Sequence, residues 1–345
     1  MSETKNEWSE KLLYAPKNGY DRLSAEEAKA VEAYCEDYKE FLNHGKTERL
    51  CVDYCVELAE ARGESADQFR TLIEKQEKAL EQIAWDGEWF LRGLDDEAKP
   101  IGTHTQEHAR IWLNAQSWMV IADACKEHQL EAMDSAAREL DTDMGLLLNT
   151  PGYPGWPSKE AAMVNGLPAG YSENGGVFCQ ANCWAIMAEA LLGRGDRAWK
   201  YYKQIMPNEV IKKVGVERYH AEAYAYCSTM LGKDNEKFGW GCVSQVTGTA
   251  AWMDVVATQY LLGIRPTLKG LLIDPSIPAE WDGFTVERSF RGCRLTIRVE
   301  NPDHVQHGLK ELSVDGRALD LAGGAMITDD IIANCQSAIV HVTMG

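Results

Sequence analysis

The hydrophobic period changes once along this chain, and the change falls at Pro266. Before it, apolar residues recur at helical spacing, as in Ala28, Val31, Tyr34, Tyr38 and Phe41, or Phe69, Leu72, Ile73, Leu80 and Ile83. After it, the stretches GLLIDPSIP, FTVERSF, CRLTIRVE and AIVHVTM alternate or run apolar over strand lengths, with turn residues between them. Helices first and strands last make a mainly α chain: a helical layer followed by a separate small β-sandwich. At 345 residues the chain is long enough for two or three structural units.

Caps and breakers place the individual helices. Ser24 to Glu27 reads S-A-E-E, a capping box that opens a first helix. Gly45 is expected to break it, and Thr47 to cap a second helix running to about Ala61, which makes a hairpin. Ser65 to Gln68 (S-A-D-Q) opens a third. Further amphipathic stretches fall at about 109 to 124, 128 to 140, 179 to 192, 195 to 205 and 249 to 262, with Gly193 and Gly263 placed as C-caps. Pro151 to Tyr171 reads as a loop.

Charge and cysteine usage narrow the partners. The formal charge of −18 repels a phosphodiester backbone, so nucleic acid is not expected. No stretch approaches the roughly 20 apolar residues of a membrane span, and no leader pattern opens the chain. The ten cysteines sit in apolar or helical patterns instead of framework spacings, which points to buried, reduced thiols in the cytoplasm. Cys51/Cys55 and Cys179/Cys183 are four apart, yet a metal site would need two more ligands at each pair. His104 and His108 share that spacing without the H-E-x-x-H pattern, and read as a surface or loop pair. Neither a glycine-rich phosphate loop nor G-x-G-x-x-G is present.

Seven stretches in a fixed order carry a resemblance: Trp85 to Arg92 (WDGEWFLR), Leu113 to Trp118 (LNAQSW), Ala169 to Phe178 (AGYSENGGVF), Leu192 to Ala198 (LGRGDRA), Val246 to Trp252 (VTGTAAW), Gln259 to Pro266 (QYLLGIRP) and Ile273 to Phe284 (IDPSIPAEWDGF). From about residue 64 to about 310 the chain resembles glycoside hydrolase family 94, the cellobiose, chitobiose and cellodextrin phosphorylases. The resemblance implies part of an (α/α)6 barrel over 63 to 268 and a β-sandwich over 269 to 345. It also implies reversible, inverting phosphorolysis of a β-linked disaccharide to an α-sugar 1-phosphate and a free sugar. Phosphate then takes the place of water, so one protein carboxylic acid suffices, to protonate the leaving oxygen. Inorganic phosphate is a co-substrate, and no metal or organic cofactor is expected. Family members are often dimers, so a homodimer or self-association is implied.

The same resemblance nominates site residues. Thr247 and Gly248 match the family's phosphate-contacting pair at a helix start, where free N–H groups face an oxyanion; the plainer alternative has Thr247 only capping that helix. Glu173 matches the acidic residue of the family's ENGG segment lining the sugar site, with a solvated turn as its alternative. Three positions depart from the pattern: Gln180 stands where a phosphate-binding histidine is usual, Ser172 where cellobiose phosphorylases carry lysine, and Met163 near an acceptor-binding glutamate. Trp85, Trp89, Trp118 and Trp252 could stack on sugars, although their helical spacing favours core for most. His220, in RYHAEAY, lies where the family text is closer to EPY and has no assigned role.

The family's general acid sits in a DWND-type motif, and none of Asp21, Asp37, Asp53 or Asp67 has that setting. Residues of roughly 15 to 62 instead resemble the opening helices of aspartyl aminopeptidase-like zinc peptidases through EDYKEFL, GKTER and ELAEARG, ahead of any metal ligand. The expectation is a helical segment over 1 to 62, joined near Gly63 to an incomplete phosphorylase whose unpartnered helix faces promote self-association. Two other readings remain. An (α/α)6 hydrolase would need a second carboxylate spaced for water, and a remnant would bind sugar without catalysis.

Overall fold

The computed structural model describes residues 18–44, 48–65, 67–155, 166–245, 247–322, 324–333 and 335–345. Gly45, Thr47, Met163 and Val246 lie outside them. The chain divides into two compact units, Met1–Thr71 and Leu72–Gly345.

The first unit is built on α1 (Ala25–His44) and α2 (Glu48–Ala61), with α3 (Asp67–Ala79) beginning in it. The expected capping box is formed: Ser24 N donates to Glu27 Oε2 at 2.8 Å, and Glu27 N donates to Ser24 Oγ at 3.2 Å. At α3, Ser65 Oγ accepts from Asp67 N at 3.1 Å. The α1–α2 hairpin is tied by aromatic rings, with Phe41 5.9 Å and His44 4.4 Å from Tyr54. It encloses little, since α1 has no buried residue. Cys55 is therefore exposed and Cys51 half-buried, a correction to the expectation of buried thiols there: two short helices cannot surround a side chain. Cys125, Cys179, Cys183, Cys227 and Cys293 are buried, and no disulfide forms among the described residues.

In the second unit α3 runs on as a π-helical turn, Leu80–Ala84, and two short ribbons follow or interleave with helices: β1 (Gly93–Leu94) with β2 (Pro100–Ile101), and β4 (Asp141–Thr142) with β5 (Gly145–Leu146). The helix expected from residue 109 begins later. Ala109 has φ +48°, and Ile111–Trp112 form β3, paired with β6 (Asn149–Thr150), so only then does α4 (Leu113–Ile121) start. Next come α5 (Lys126–Leu140), β7 (Val177–Phe178), α6 (Cys179–Leu191), α7 (Gly195–Ile205), α8 (Pro207–Val214) and α9 (Val216–Tyr219). Then β8 (Cys227–Met230), β9 (Gly241–Ser244) and α10 (Thr249–Val255) follow, the last widening into a π-helix over Val256–Leu261 where a single α-helix was expected.

The helices pair as α4 with α5 and α6 with α7, and α6 is flanked by α4 on one side and by α10 with its π continuation on the other. Alanine and cysteine make this central position possible. Ala181, Cys183, Ala185, Ala188 and Ala190 of α6 are all buried, and their small volume lets neighbours approach from several sides. One cluster of buried apolar residues runs from Trp89 to Leu261 through these helices.

The strand half obeys its sequence. β12 (Gly283–Phe290), β13 (Cys293–Glu300), β14 (Leu309–Val314), β15 (Arg317–Ala318) and β17 (Ser337–Met344) form one sheet in the order β12-β13-β17-β14-β15, with β13 and β17 parallel. A second sheet joins β10 (Ile264–Pro266), β11 (Leu271–Ile273) and β16 (Met326–Ile327). Leu295, Ile297 and Val299 alternate with exposed or half-buried Arg294, Thr296 and Arg298, and Val340 and Val342 bury likewise on β17. Both sheets contribute to one core, which includes Ile264, Leu271 and Ile327. The two cores meet at the α6–α7 turn. A Cβ on Gly195 would lie 2.1 Å from the Ile277 carbonyl oxygen, so only glycine permits this approach, and Asp196 Oδ1 accepts from Ala279 N at 2.9 Å. No helix among the described residues is long and apolar enough to cross a membrane.

Just before that turn, Glu189 of α6 is fully buried. Arg197 Nη1 stands 3.4 Å from its Oε1 and Arg194 Nη1 3.6 Å from its Oε2, while both arginines make shorter bonds to Asp134. Desolvation outweighs the arginines and pushes the Glu189 carboxyl up from 4.5 to about 7. An acid with a raised folded-state value contributes most below its unfolded value and loses that contribution as pH rises through the folded one. Between about pH 4 and about pH 8 the chain should lose about 3 kcal/mol of stability through this group. Urea unfolding across that window should show the slope, and Glu189→Gln should flatten it.

Candidate functional site

The loops entering α6 are held by side-chain amides. Asn174, fully buried in the ENGG segment, accepts from Tyr153 N through Oδ1 at 2.7 Å and donates through Nδ2 to Tyr153 O and Leu167 O, each at 2.9 Å. Asn149 Nδ2 donates to Glu173 O at 2.7 Å. Asp234 Oδ2 accepts from Gly152 N at 2.7 Å, and Gly232 N donates to Gly170 O at 2.7 Å, so the 150, 170 and 232 segments brace one another. Ser172 has φ +49°, and its carbonyl accepts from Gly176 N at 3.1 Å. From this turn the chain passes straight through β7 into α6, which carries Gln180 in its first turn.

Gln180 reaches Gly248. A Cβ built on Gly248 would lie 3.1 Å from Gln180 Oε1 and 3.3 Å from Nε2, so the amide rests on the glycine backbone immediately ahead of α10. Thr247 Oγ1 accepts from Thr249 N at 3.1 Å and lies 2.7 Å from Thr249 Oγ1. Thr247 is half-buried in a local turn, while Gly248, the N-cap of α10, is exposed and Thr249 buried. The structure brings Gln180, Thr247 and Gly248 together where α6 and α10 begin. Ser172 and Glu173 approach the start of α6 through the chain, with the Glu173 side chain exposed. Met163 lies outside the described residues.

Neighbouring tryptophans divide by role. Trp89 is buried, and its indole N–H is shared between Gly102 O and Arg110 O, both at 3.0 Å. Trp85 stacks on His128 at 4.1 Å. Trp118, Trp184 and Trp252 form an edge-to-face row at 5.3 and 6.1 Å across α4, α6 and α10, with Trp118 41% exposed. Trp118 also lines a cleft of about 350 Å³ with Leu80, Ile83, Leu94, Asn114 and Met119.

Some sequence signals become structural. His104 and His108 sit in a loop, so their spacing does not place them on a helix face. His104 Nδ1 contacts Asp86 Oδ2 at 2.7 Å; burial would raise the Asp86 carboxyl, but the His104 N–H and Thr103 hydroxyl bonds prevail and hold it below its usual range. His220 caps α9 with φ +57° and stacks obliquely on Trp240 at 4.4 Å. Among the described residues no cluster of three or more His, Cys, Asp or Glu is placed to hold a metal ion. Sequence reasoning passed over Asn149, Asn174 and Asp234. The only available signal was the turn chemistry of E-N-G-G and G-K-D-N.

Residues 43–263 match the Glycosyl hydrolase 94 superfamily, catalytic domain. That match begins within α1, ahead of Gly63. The chain is 34% identical over 296 residues to the N,N'-diacetylchitobiose phosphorylase of Vibrio proteolyticus, covering 81% of this chain and 36% of that protein. It is 33% identical over 267 residues to the 3-O-beta-D-glucopyranosyl-beta-D-glucuronide phosphorylase of Paenibacillus borealis, covering 77% and 34%, and 30% identical over 243 residues to the solabiose phosphorylase of the same organism, covering 70% and 31%. The chain spans about a third of the length of these relatives.

The Ser172–Gly176 turn leaves no room for a methyl group. A Cβ on Gly176 would lie 2.7 Å from both Ser172 N and Ser172 O and 2.9 Å from Thr229 Oγ1. Gly176→Ala should therefore cost about 1–3 kcal/mol in denaturant unfolding. Gly166→Ala, with nothing within 4 Å of the added atom, should unfold like the parent chain.

Proposed function

Because the chain belongs to the Glycosyl hydrolase 94 superfamily, we propose that it supplies the phosphate- and sugar-contacting part of an inverting glycoside phosphorylase acting on a β-linked disaccharide. Its helical layer is read as an arc of an (α/α)6 barrel, and its two sheets as the β-sandwich that follows. The observation that carries this reading is the contact of Gln180 with Gly248 beside Thr247, where α6 and α10 begin. The Thr247 hydroxyl and the Gln180 amide lie beside the first turn of α10, groups that can hydrogen-bond a phosphate oxygen. Phosphate held at this place attacks the anomeric carbon while a carboxylic acid protonates the leaving oxygen, giving an α-sugar 1-phosphate and a free sugar. Glu173 and Ser172 offer hydrogen bonds to sugar hydroxyls. Met163 is assigned to the acceptor side on sequence grounds alone.

The general acid is not among the residues assigned here. The apolar cleft beside Trp118, with exposed Ile83 and Leu94, fits a face that packs against a further helical layer, which also accounts for the expected self-association. A cytoplasmic setting agrees with the unbridged cysteines and with inorganic phosphate as co-substrate. The runner-up reading is carbohydrate binding without turnover. An (α/α)6 hydrolase is disfavoured by the donor set around Gly248.

Calorimetric titration with inorganic phosphate should show binding that weakens about tenfold in Thr247→Val and in Gln180→Ala, the effect of losing one hydrogen bond to a charged group. The chain alone should release no sugar 1-phosphate from N,N'-diacetylchitobiose or cellobiose. Sugar release without phosphate would identify a hydrolase, and the absence of phosphate binding in a folded sample would remove the phosphorylase reading of the site.

A further inference from the structure

Cys179 and Cys227 are both buried, and their sulfurs lie 4.0 Å apart. Cys179 is the first residue of α6, directly before Gln180, and Cys227 is the first residue of β8. β7, which ends beside Cys179, and β8, which begins at Cys227, are already paired, with Phe178 opposite Thr229 and Val177 opposite Met230. A rotation of the two side chains is the smallest motion that closes the remaining gap, and side-chain rotation is quick beside the opening of a core.

The other thiols are differently engaged. Cys183 sits one turn along α6, where its Sγ faces the carbonyls of Cys179 at 3.4 Å and Thr249 at 3.8 Å, and burial pushes it up to about 12. Cys293 belongs to the core of the strand half. Within the coupled pair, the hydrogen bond from Cys179 is the first cause holding Cys227 below the usual thiol range, while Cys179 itself is raised by that bond and by burial. Each thiol has the other within reach as the partner that resolves its oxidised form.

We propose that Cys179 and Cys227 form a modification site, a latent dithiol that a hydroperoxide converts into a disulfide joining the start of α6 to β8. The thiolate of one of the pair attacks the peroxide: an S–O bond forms, the O–O bond breaks, and the departing oxygen takes up a proton. The other thiol then attacks the sulfenic sulfur: the S–S bond forms, the S–O bond breaks, and its proton leaves with the hydroxyl as water. Two thiols and one hydrogen peroxide give one disulfide and two waters. Hydrogen peroxide is close to water in size and enters through local opening of the short β7–β8–β9 sheet, so the reaction is slower than oxidation of exposed Cys55. Because Gln180 follows Cys179, the cross-link shifts the amide that rests on Gly248.

The test uses the whole native chain treated with hydrogen peroxide, freed of excess peroxide, unfolded in the presence of an alkylating agent, digested and weighed. The expected product is a Cys179–Cys227 peptide pair, lighter by two hydrogen atoms, restored by a dithiol reductant and absent from Cys179→Ser and from Cys227→Ala. Alkylation of both thiols after unfolding, or pairing of Cys227 with Cys183 or Cys242 instead, would overturn the proposal without needing any variant. Phosphate titration of the oxidised chain should show affinity at least about threefold weaker. That readout rests on the phosphate reading of the site, whereas the mass readout does not, so the two fail separately.

Discussion

Buried carboxamides hold this structure together where regular backbone pairing stops. Gln116 of α4 accepts from Phe90 N at 2.8 Å and donates to Phe90 O and Trp112 O at 2.9 and 3.0 Å. Asn182 of α6 does the same for Leu146 N and O, and Asn174 for Tyr153 N and O. An amide side chain carries a donor and an acceptor side by side, so it offers a buried loop what a neighbouring strand would. Without it, each buried N–H and C=O would go unpaired at a cost of about 1–3 kcal/mol. The loops that precede α4 and α6 can therefore be irregular in shape and still be fixed in place.

That arrangement decides where chemistry can sit. Helices α4, α6 and α10 pack side by side, with α6 between the other two, and the segments entering them carry the residues assigned to sugar and phosphate. At its other end α6 closes on a charged group made of Glu189, Arg194, Arg197 and Asp134, beside the glycine contact with Ile277 that joins the helical and strand cores. One helix thus links the candidate phosphate position, the cysteine pair and the seam between cores. Its small alanine and cysteine side chains help all three, because they let neighbours come close from several sides.

Much of the local structure was legible from residue order. The S-A-E-E box formed as drawn, because its two hydrogen bonds lie within four consecutive residues. α5, α6 and α7 fall within a residue or two of the periodic stretches that announced them. What failed was non-local. Residues 109–112 read as helix, yet Ile111 and Trp112 pair with Thr150 and Asn149, and a strand partner nearly forty positions away leaves no trace in a short window. The histidine pair, read as a loop pair, does lie in a loop, since four-residue spacing means a shared face only if the segment is helical.

By itself the sequence determined the order of helices and strands, the caps, the alternation that buries one face of β13 and β17, and the family to which the chain belongs. These depend on neighbours within a few positions, or on a text of motifs read in order. Only the tertiary structure decided that Gln180 lies on Gly248, that Asn174 clamps Tyr153, that Glu189 is buried short of good hydrogen bonds, and that two cysteines forty-eight positions apart stand in contact. Each is a distance between remote side chains, and such distances are set by how helices pack, which no local propensity encodes.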